Sequence, residues 1–299
     1  MEASISGVNL LLKHLVFLLG ECRGVTSKAR FCRYVGALTL ARLSSGFRSR
    51  NGQTSFADSE LFLRLKHGDV WFESSLGSGE LWSYVETYSG REYDSESIRF
   101  EPQDVILDVG ANIGLFAIRY GKEVPAVPIY CFEPNPGVYK RLLRNLEANS
   151  LTNVVATNAA AGDSAGIRPF FVGRVTVTGS IIQNEDRATE PAFYTEVIDL
   201  DAFCKARSIA SIGLLKIDVE GAEMEVLRGA QHSLQVTKAL MIECHSDELS
   251  ASVERFLAAR SFGVTFRNVH WEGLSLVHFA RIGKMPRAES DPAVIDQRV

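Results

Sequence analysis

The sequence predicts an α/β fold: a mostly parallel sheet of seven strands with a C-terminal antiparallel hairpin, preceded by a helical N-terminal extension. Three observations predict it. From Glu101 onward, short apolar runs alternate with helical stretches, which is the pattern of a parallel sheet with helices on both faces. The stretch VILDVGANIGLFAIRYG (Val105–Gly121) reads as a buried strand, a glycine turn and a helix. The last two apolar runs are joined only by NVHWEGL, too short for a crossover and suited to a hairpin.

The chain divides into four stretches. Residues 1–60 form a basic helical extension and linker, 61–100 a lead-in or cap, 101–282 the main domain, and 283–299 a polar tail. Within the extension, Phe31, Tyr34, Val35, Leu38 and Ala41 recur at helical spacing, with Lys28, Arg30, Arg33 and Arg42 mostly opposite. The Gly/Ser-rich stretch Leu43–Glu60 reads as a linker. The lead-in mixes aromatics (Trp71, Phe72, Trp82, Tyr84, Tyr88, Tyr93) with turn residues and suits short strands and a helix. In the main domain the predicted strands are Val105–Val109, Ile129–Phe132, Val154–Ala160, Leu214–Val219, Leu240–Cys244, Val264–Arg267 and Ser275–Ala280. The predicted helices are Gly114–Gly121, Gly137–Asn149, Ala222–Ala230 and Asp247–Arg260. The polar insertion Arg174–Pro191 is a mobile lid or an ordinary loop.

Composition narrows the function classes. The 299 residues are 46% hydrophobic and 23% charged, an ordinary globular balance. Net charge is −4, yet residues 1–50 hold eight basic side chains against two acidic ones, so the body is acidic. An acidic body without a basic groove argues against nucleic acid as a partner. The basic arm is either a solvated helical face or a weak contact for a membrane surface or polyanion. The apolar run Val8–Leu19 has twelve residues, contains Lys13 and His14, and falls short of the roughly 20 that a membrane span needs. A secretory signal fits it poorly, since no charged region precedes it and Glu21 and Arg23 follow. Five scattered cysteines without a C-x-x-C suit a reducing, cytoplasmic setting.

The glycine turn and the strand after it carry the first chemical signal. Gly110-Ala111-Asn112-Ile113-Gly114 lacks the second and third glycines of a dinucleotide fingerprint and the Lys-Ser/Thr of a phosphate loop. An NAD-dependent oxidoreductase is therefore disfavoured. The turn fits D-x-G-x-x-x-G, which holds S-adenosylmethionine (SAM). On that reading Gly110 and Gly114 let the backbone approach the methionine part of the cofactor, and Asp108 organises the turn or meets the amino group. Glu133, in FEPNP at the tip of the next strand, stands 23 residues beyond Gly110. That is about where an acid grips a ribose diol; the alternative is an acid at a helix N-terminus. Asp163, after the third strand, is placed to meet the adenine amino group or simply to occupy a turn.

The second signal is LLKIDVEGAEMEVLRGA (Leu214–Ala230), in which Lys216, Asp218 and Glu220 follow at period two and Glu223 opens a helix. Charges on a buried strand are costly unless paired or used. The neighbouring MIECH adds Glu243 and His245 at a strand tip. VILDVGANIG, FEPNP, LLKIDVEGAEMEVLRGA and MIECH together resemble the FkbM-type family of SAM-dependent methyltransferases, over about residues 102–270. The resemblance implies a seven-stranded Rossmann-like sheet, SAM as cofactor, and methyl transfer to a hydroxyl of a small-molecule or glycan acceptor. Asp108, Gly110, Ala111, Asn112, Gly114, Glu133 and Asp163 are then the expected cofactor residues. Asp218 and His245 are the expected catalytic pair, either one serving as general base. Asp218 touching the cofactor instead, or the acid cluster holding a divalent ion, are the alternatives; the metal-free form is the expectation. A non-catalytic scaffold of the same fold is the remaining rival.

Overall fold

A computed structural model of the chain describes residues 13–44, 60–73, 79–90, 92–94, 98–173, 178–184, 187–271 and 273–282. The expected linker (45–59), the tail (283–299), part of the insertion (174–177 and 185–186) and the side chains of Leu38, Ala41, Arg42, Arg48 and Arg50 lie outside the described residues.

A helical stretch over residues 13–21 precedes helix α1 (Gly24–Ser44). A hairpin follows, built from β1 (Glu60–Arg64) and β2 (Asp69–Glu73), and then α2 (Glu80–Ser89). Phe31 of α1 is buried while Lys28, Arg30 and Arg33 are exposed, as the apolar spacing requires. Leu18, Cys22 and Phe31 pack with Leu63, Val70 and Phe72 of the hairpin. The same cluster continues to Ile113, Leu115 and Ile118, so the N-terminal segments cover the helix that follows the glycine turn. Among the described residues no helix is long and apolar enough to cross a membrane.

Next come β3 (Val105–Val109), α3 (Leu115–Glu123), β4 (Ile129–Phe132), α4 (Pro136–Ala148) and β5 (Val154–Thr157). Helix α4 begins where Asn135 accepts from the backbone N–H groups of Gly137 and Val138, with proline at the first helical position. Three short strands, β6 (Ala160–Ala161), β7 (Gly166–Phe170) and β8 (Phe193–Ile198), form a separate small sheet in the order β6-β8-β7. The chain then gives α5 (Leu200–Ala206), β9 (Ile212–Ile217), α6 (Glu223–Arg228), β10 (Thr237–Cys244), α7 (Asp247–Ala258), β11 (Phe262–Trp271) and β12 (Leu274–Arg281).

The main sheet has seven strands in the order β11-β12-β10-β9-β3-β4-β5. β10, β9, β3, β4 and β5 are parallel, and β12 joins β10 antiparallel with β11 outside it. Every residue of β3 and β9 is buried, which explains why their sequences are apolar except for the paired Asp108 and Lys216. Val109, Leu215, Ile217, Val226 and Val253 pack on one face of the sheet, and Ile106, Phe116, Tyr120, Leu142 and Leu214 on the other. β3 and β9 end side by side at the centre of the sheet, and both glycine turns leave from their carboxyl ends.

Several elements depart from the predicted bounds; β9 ends at Ile217, so Asp218 and Val219 lie past the strand. The third strand does not run to Ala160: β5 stops at Thr157 and the chain turns. The Asn158 amide donates to the Glu133 and Pro134 carbonyls at 2.8 and 3.1 Å, and Ala160–Ala161 pairs with β8 instead. Helix α5 is not among the predicted helices; Asp199 caps it by accepting from the Ala202 N–H.

Candidate active site

The first glycine turn is fixed by backbone approach. Gly110 has φ +78, and a Cβ there would stand 1.7 Å from the Asp218 carbonyl oxygen. Only glycine lets the ends of β3 and β9 come this close. Gly110 and Ala111 both donate to the Phe132 carbonyl at 3.0 Å, and the Lys216 ammonium donates to the Gly110 carbonyl at 2.6 Å. Lys216 Nζ also lies 3.2 Å from Asp108 and 3.4 Å from Asp218. Burial alone would drive the proton off Lys216, but these two carboxylates raise its pKa and keep it charged.

Asp108 is wholly buried against Lys216 and lines neither cleft described below, so it organises the turn through the lysine. Gly114 has φ +87 at the start of α3, and a Cβ there would meet Leu142 at 2.5 Å. Its glycine answers to helix packing, and it too lies away from both clefts. Asn112 takes φ 50, uncommon for a non-glycine residue, and its N–H donates to Glu133 Oε2 at 2.9 Å.

Glu133 is buried beside this turn. Its other oxygen, Oε1, accepts from the Asn135 N–H at 2.8 Å. Burial pushes the carboxyl up to about 7, and the two backbone donors hold it back from rising further. Each oxygen keeps a second acceptor position. A cleft lies alongside, lined by Gly110, Asn112, Glu133, Ile181, Asp218 and Val219 among others. Asp163 is not brought here. It is exposed, and Arg168 from β7 binds it at 2.5 Å and lowers its pKa. The wall expected from Asp163 is made instead by Ala160, Ala161, Phe170 and Ile181.

The acid cluster stands on the other side of Asp218. Asp218 follows β9, and Glu220 and Gly221 both take positive φ, 57 and 98, which turns the chain into α6. His245 leaves the tip of the adjacent β10. Its Nδ1 is 2.7 Å from Glu223 Oε1, and its Nε2 is 3.5 Å from Glu220 and 3.9 Å from Asp218. Burial would lower the imidazole pKa, but Glu220 and Glu223 raise it well above the ordinary histidine range. Both ring nitrogens of His245 thus face carboxylate oxygens, with Asp218, the other expected catalytic residue, beside it.

A second, wider cleft is lined by Trp82, Glu86, Tyr93, Ala111, Phe116, Glu243, His245 and Leu274, and it shares Asn112, Asp218 and Glu220 with the first. Burial pushes the Glu86 carboxyl up to about 7 and raises that of Glu243 further, with Asp218 reinforcing the effect at Glu243. Helix α2 of the lead-in supplies one wall of this cleft, and there the Trp82 indole N–H donates to the Glu86 carboxylate one helical turn on at 2.5 Å. The insertion is anchored where it is described: Arg187 is buried and donates to the Glu220 carbonyl at 2.5 Å, and the Ser180 hydroxyl donates to the Val219 carbonyl at 2.9 Å.

A seven-stranded sheet with the β12–β11 hairpin at its edge and a glycine turn after the central β3 defines a Rossmann-like, SAM-dependent methyltransferase. The chain matches the Methyltransferase FkbM domain over residues 108–264 and belongs to that family. It is 30% identical over 199 residues to 31-O-demethyl-FK506 methyltransferase FkbM of Streptomyces tacrolimicus, covering 56% of this chain and 75% of that one. It is 28% identical over 158 residues to hexuronic acid methyltransferase AglP of Haloferax volcanii, covering 53% and 63%. It is 29% identical over 167 residues to 2-O-methyltransferase NoeI of Sinorhizobium fredii, covering 51% and 68%.

Proposed function

We propose that this enzyme methylates a hydroxyl of a sugar, glycolipid or hydroxylated natural product. The observation that carries the reading is the meeting of two clefts at Asn112, Asp218 and Glu220, one suited to the cofactor and one to an acceptor. The names of the relatives support the acceptor class: they act at 31-O, at 2-O and on a hexuronic acid.

The residues present fit SAM. Gly110 leaves the room that a Cβ would fill, Glu133 keeps acceptor positions for two ribose hydroxyls, and Phe170, Ile181 and Val138 supply an apolar wall for adenine. When bound, SAM supplies a sulfonium-activated methyl group. The chain then has to hold the acceptor oxygen in line with that methyl, a positioning effect that can supply most of the acceleration. Trp82 and Phe116 offer apolar faces to a sugar ring, and Asp218, Glu220 and Glu243 offer acceptors to its hydroxyls. Asp218, 28% exposed, is positioned to draw the acceptor hydroxyl's hydrogen, and the His245 charge offsets the carboxylates around it.

Titration calorimetry with S-adenosylhomocysteine, with NAD as control, tests the cofactor half. Saturable binding of the first alone is expected; binding of NAD alone would overturn the reading. Mass spectrometry of a panel of sugars and polyhydroxylated acceptors after incubation with SAM tests the acceptor half. Methylation confined to amines or to nucleic acid would overturn it.

A further inference from the structure

We propose that Asp218, Glu220 and His245 form a divalent-cation site facing the acceptor cleft. One ligand atom from each of the three lies within 4.8 Å of the others. Two carboxylates and one imidazole, with the remaining positions open, suit a cation of the Mg²⁺ or Mn²⁺ type. Closing the observed 3.5 and 3.9 Å gaps between His245 Nε2 and the two carboxylates onto one ion needs only small side-chain rotations.

An independent observation points to a ligand. Glu223 is wholly buried, its Oε1 engages His245 Nδ1 at 2.7 Å, and its Oε2 has no hydrogen-bond partner among the described residues. A carboxylate on one imidazole nitrogen, leaving the other directed at a group of oxygens, is the outer-shell arrangement of a metal-bound histidine. Placing an acid with no cation of its own behind the histidine is costly unless the histidine carries positive charge, or holds it, on its far side.

The nearest cations are shared with other partners: Lys216, 3.4 Å from Asp218, also serves Asp108 and the Gly110 carbonyl, and Arg187, 3.7 Å from the Glu220 carboxylate, also donates to the Glu220 carbonyl. Glu86 and Glu243 line the same cleft. Glu220 takes φ 57, a costly conformation for a non-glycine residue, and it swings that carboxylate toward His245. The proposal deepens the acceptor reading above and rests on it. The open positions of the ion face the cleft, where a hydroxyl bound to the cation loses its proton more readily. Asp218 and His245 then act as ligands, and no neutral histidine base is needed.

The test is binding of Mn²⁺ to the metal-stripped full chain without cofactor or acceptor, read by calorimetry and by spin-echo spectroscopy. The expected result is one Mn²⁺ per chain, displaced by excess Mg²⁺, with nitrogen modulation from a single imidazole. Glu220→Gln and His245→Gln should each weaken binding about 10- to 100-fold. Glu254→Gln, on the far side of α7 in an ion pair with Arg267, should bind as the wild type does. Absence of saturable Mn²⁺ binding, absence of imidazole modulation, or unchanged affinity in folded Glu220→Gln would overturn the site. S-adenosylhomocysteine binding in the same preparation keeps the two readings apart: its loss with Mn²⁺ still bound condemns the cofactor assignment, not the cation site.

Discussion

The Lys216 ammonium donates to the Gly110 carbonyl at 2.6 Å, joining two segments 106 positions apart that carry opposite halves of the site. The same ammonium neutralises the wholly buried Asp108 at 3.2 Å. Lys216→Met strands that carboxylate in the core and should cost about 3–5 kcal/mol in urea unfolding. Adding Asp108→Asn should restore part of the loss, since the uncompensated charge is then gone. A single variant as stable as the wild type would show that the pair is not coupled.

Gly110→Ala tests the close approach of β3 to β9. The added Cβ meets a backbone oxygen at 1.7 Å, and backbone cannot move aside as a flexible side chain can. Stability should fall by more than about 2 kcal/mol, combining the clash with an unfavourable φ. Thermal unfolding measures it, and a drop below half that size would mean the two strand ends can part.

Glu133 makes cofactor binding pH-dependent. Burial holds its carboxyl at about 7, against 4.5 for a free side chain, so the folded protein binds this proton more tightly than the unfolded chain. Its share of stability is therefore present below 4.5 and lost as pH rises through about 7. Affinity for S-adenosylhomocysteine should run the other way, because ribose hydroxyls donate best to the ionised form. Below pH 7 it should fall by up to about tenfold per unit. Glu133→Gln should flatten that profile and weaken binding about 30- to 1,000-fold at pH 8. A steep profile persisting in the variant would assign the titration to another group.

Asn145 ties the N-terminal hairpin to the main sheet. It is wholly buried, accepts from the Trp71 N–H at 2.7 Å and donates to the Ile113 carbonyl at 2.9 Å. Asn145→Ala removes the side-chain partner of the Trp71 N–H, the Trp71 carbonyl and the buried Ile113 carbonyl, and should cost about 2–4 kcal/mol. Hydrogen exchange should show the loss concentrated in β1, β2 and the start of α3. Uniform loss across the sheet would mean that hairpin and sheet unfold as one unit.

Much of this was readable along the chain. The central strands β3, β4 and β9 show as mostly apolar runs, and Gly110 and Glu133 announce themselves by spacing alone. β5 ended early because Asn158 pulls the chain toward the Glu133 carbonyl, a contact between segments that no local pattern encodes. Asp163 stands outside the lining of the cofactor cleft and pairs with Arg168, five positions on.

The sequence by itself determined the parallel sheet, the glycine turn and which acids stand at strand tips, because period and turn chemistry are local properties of the chain. Only the tertiary structure decided what those acids do. Asp108 pairs with Lys216, Glu133 is shared with two backbone N–H groups, and His245 is ringed by three carboxylates from the turn after β9 and the start of α6. The charge state of a buried group depends on what lies within a few ångströms of it, and in this fold those neighbours come from distant parts of the chain.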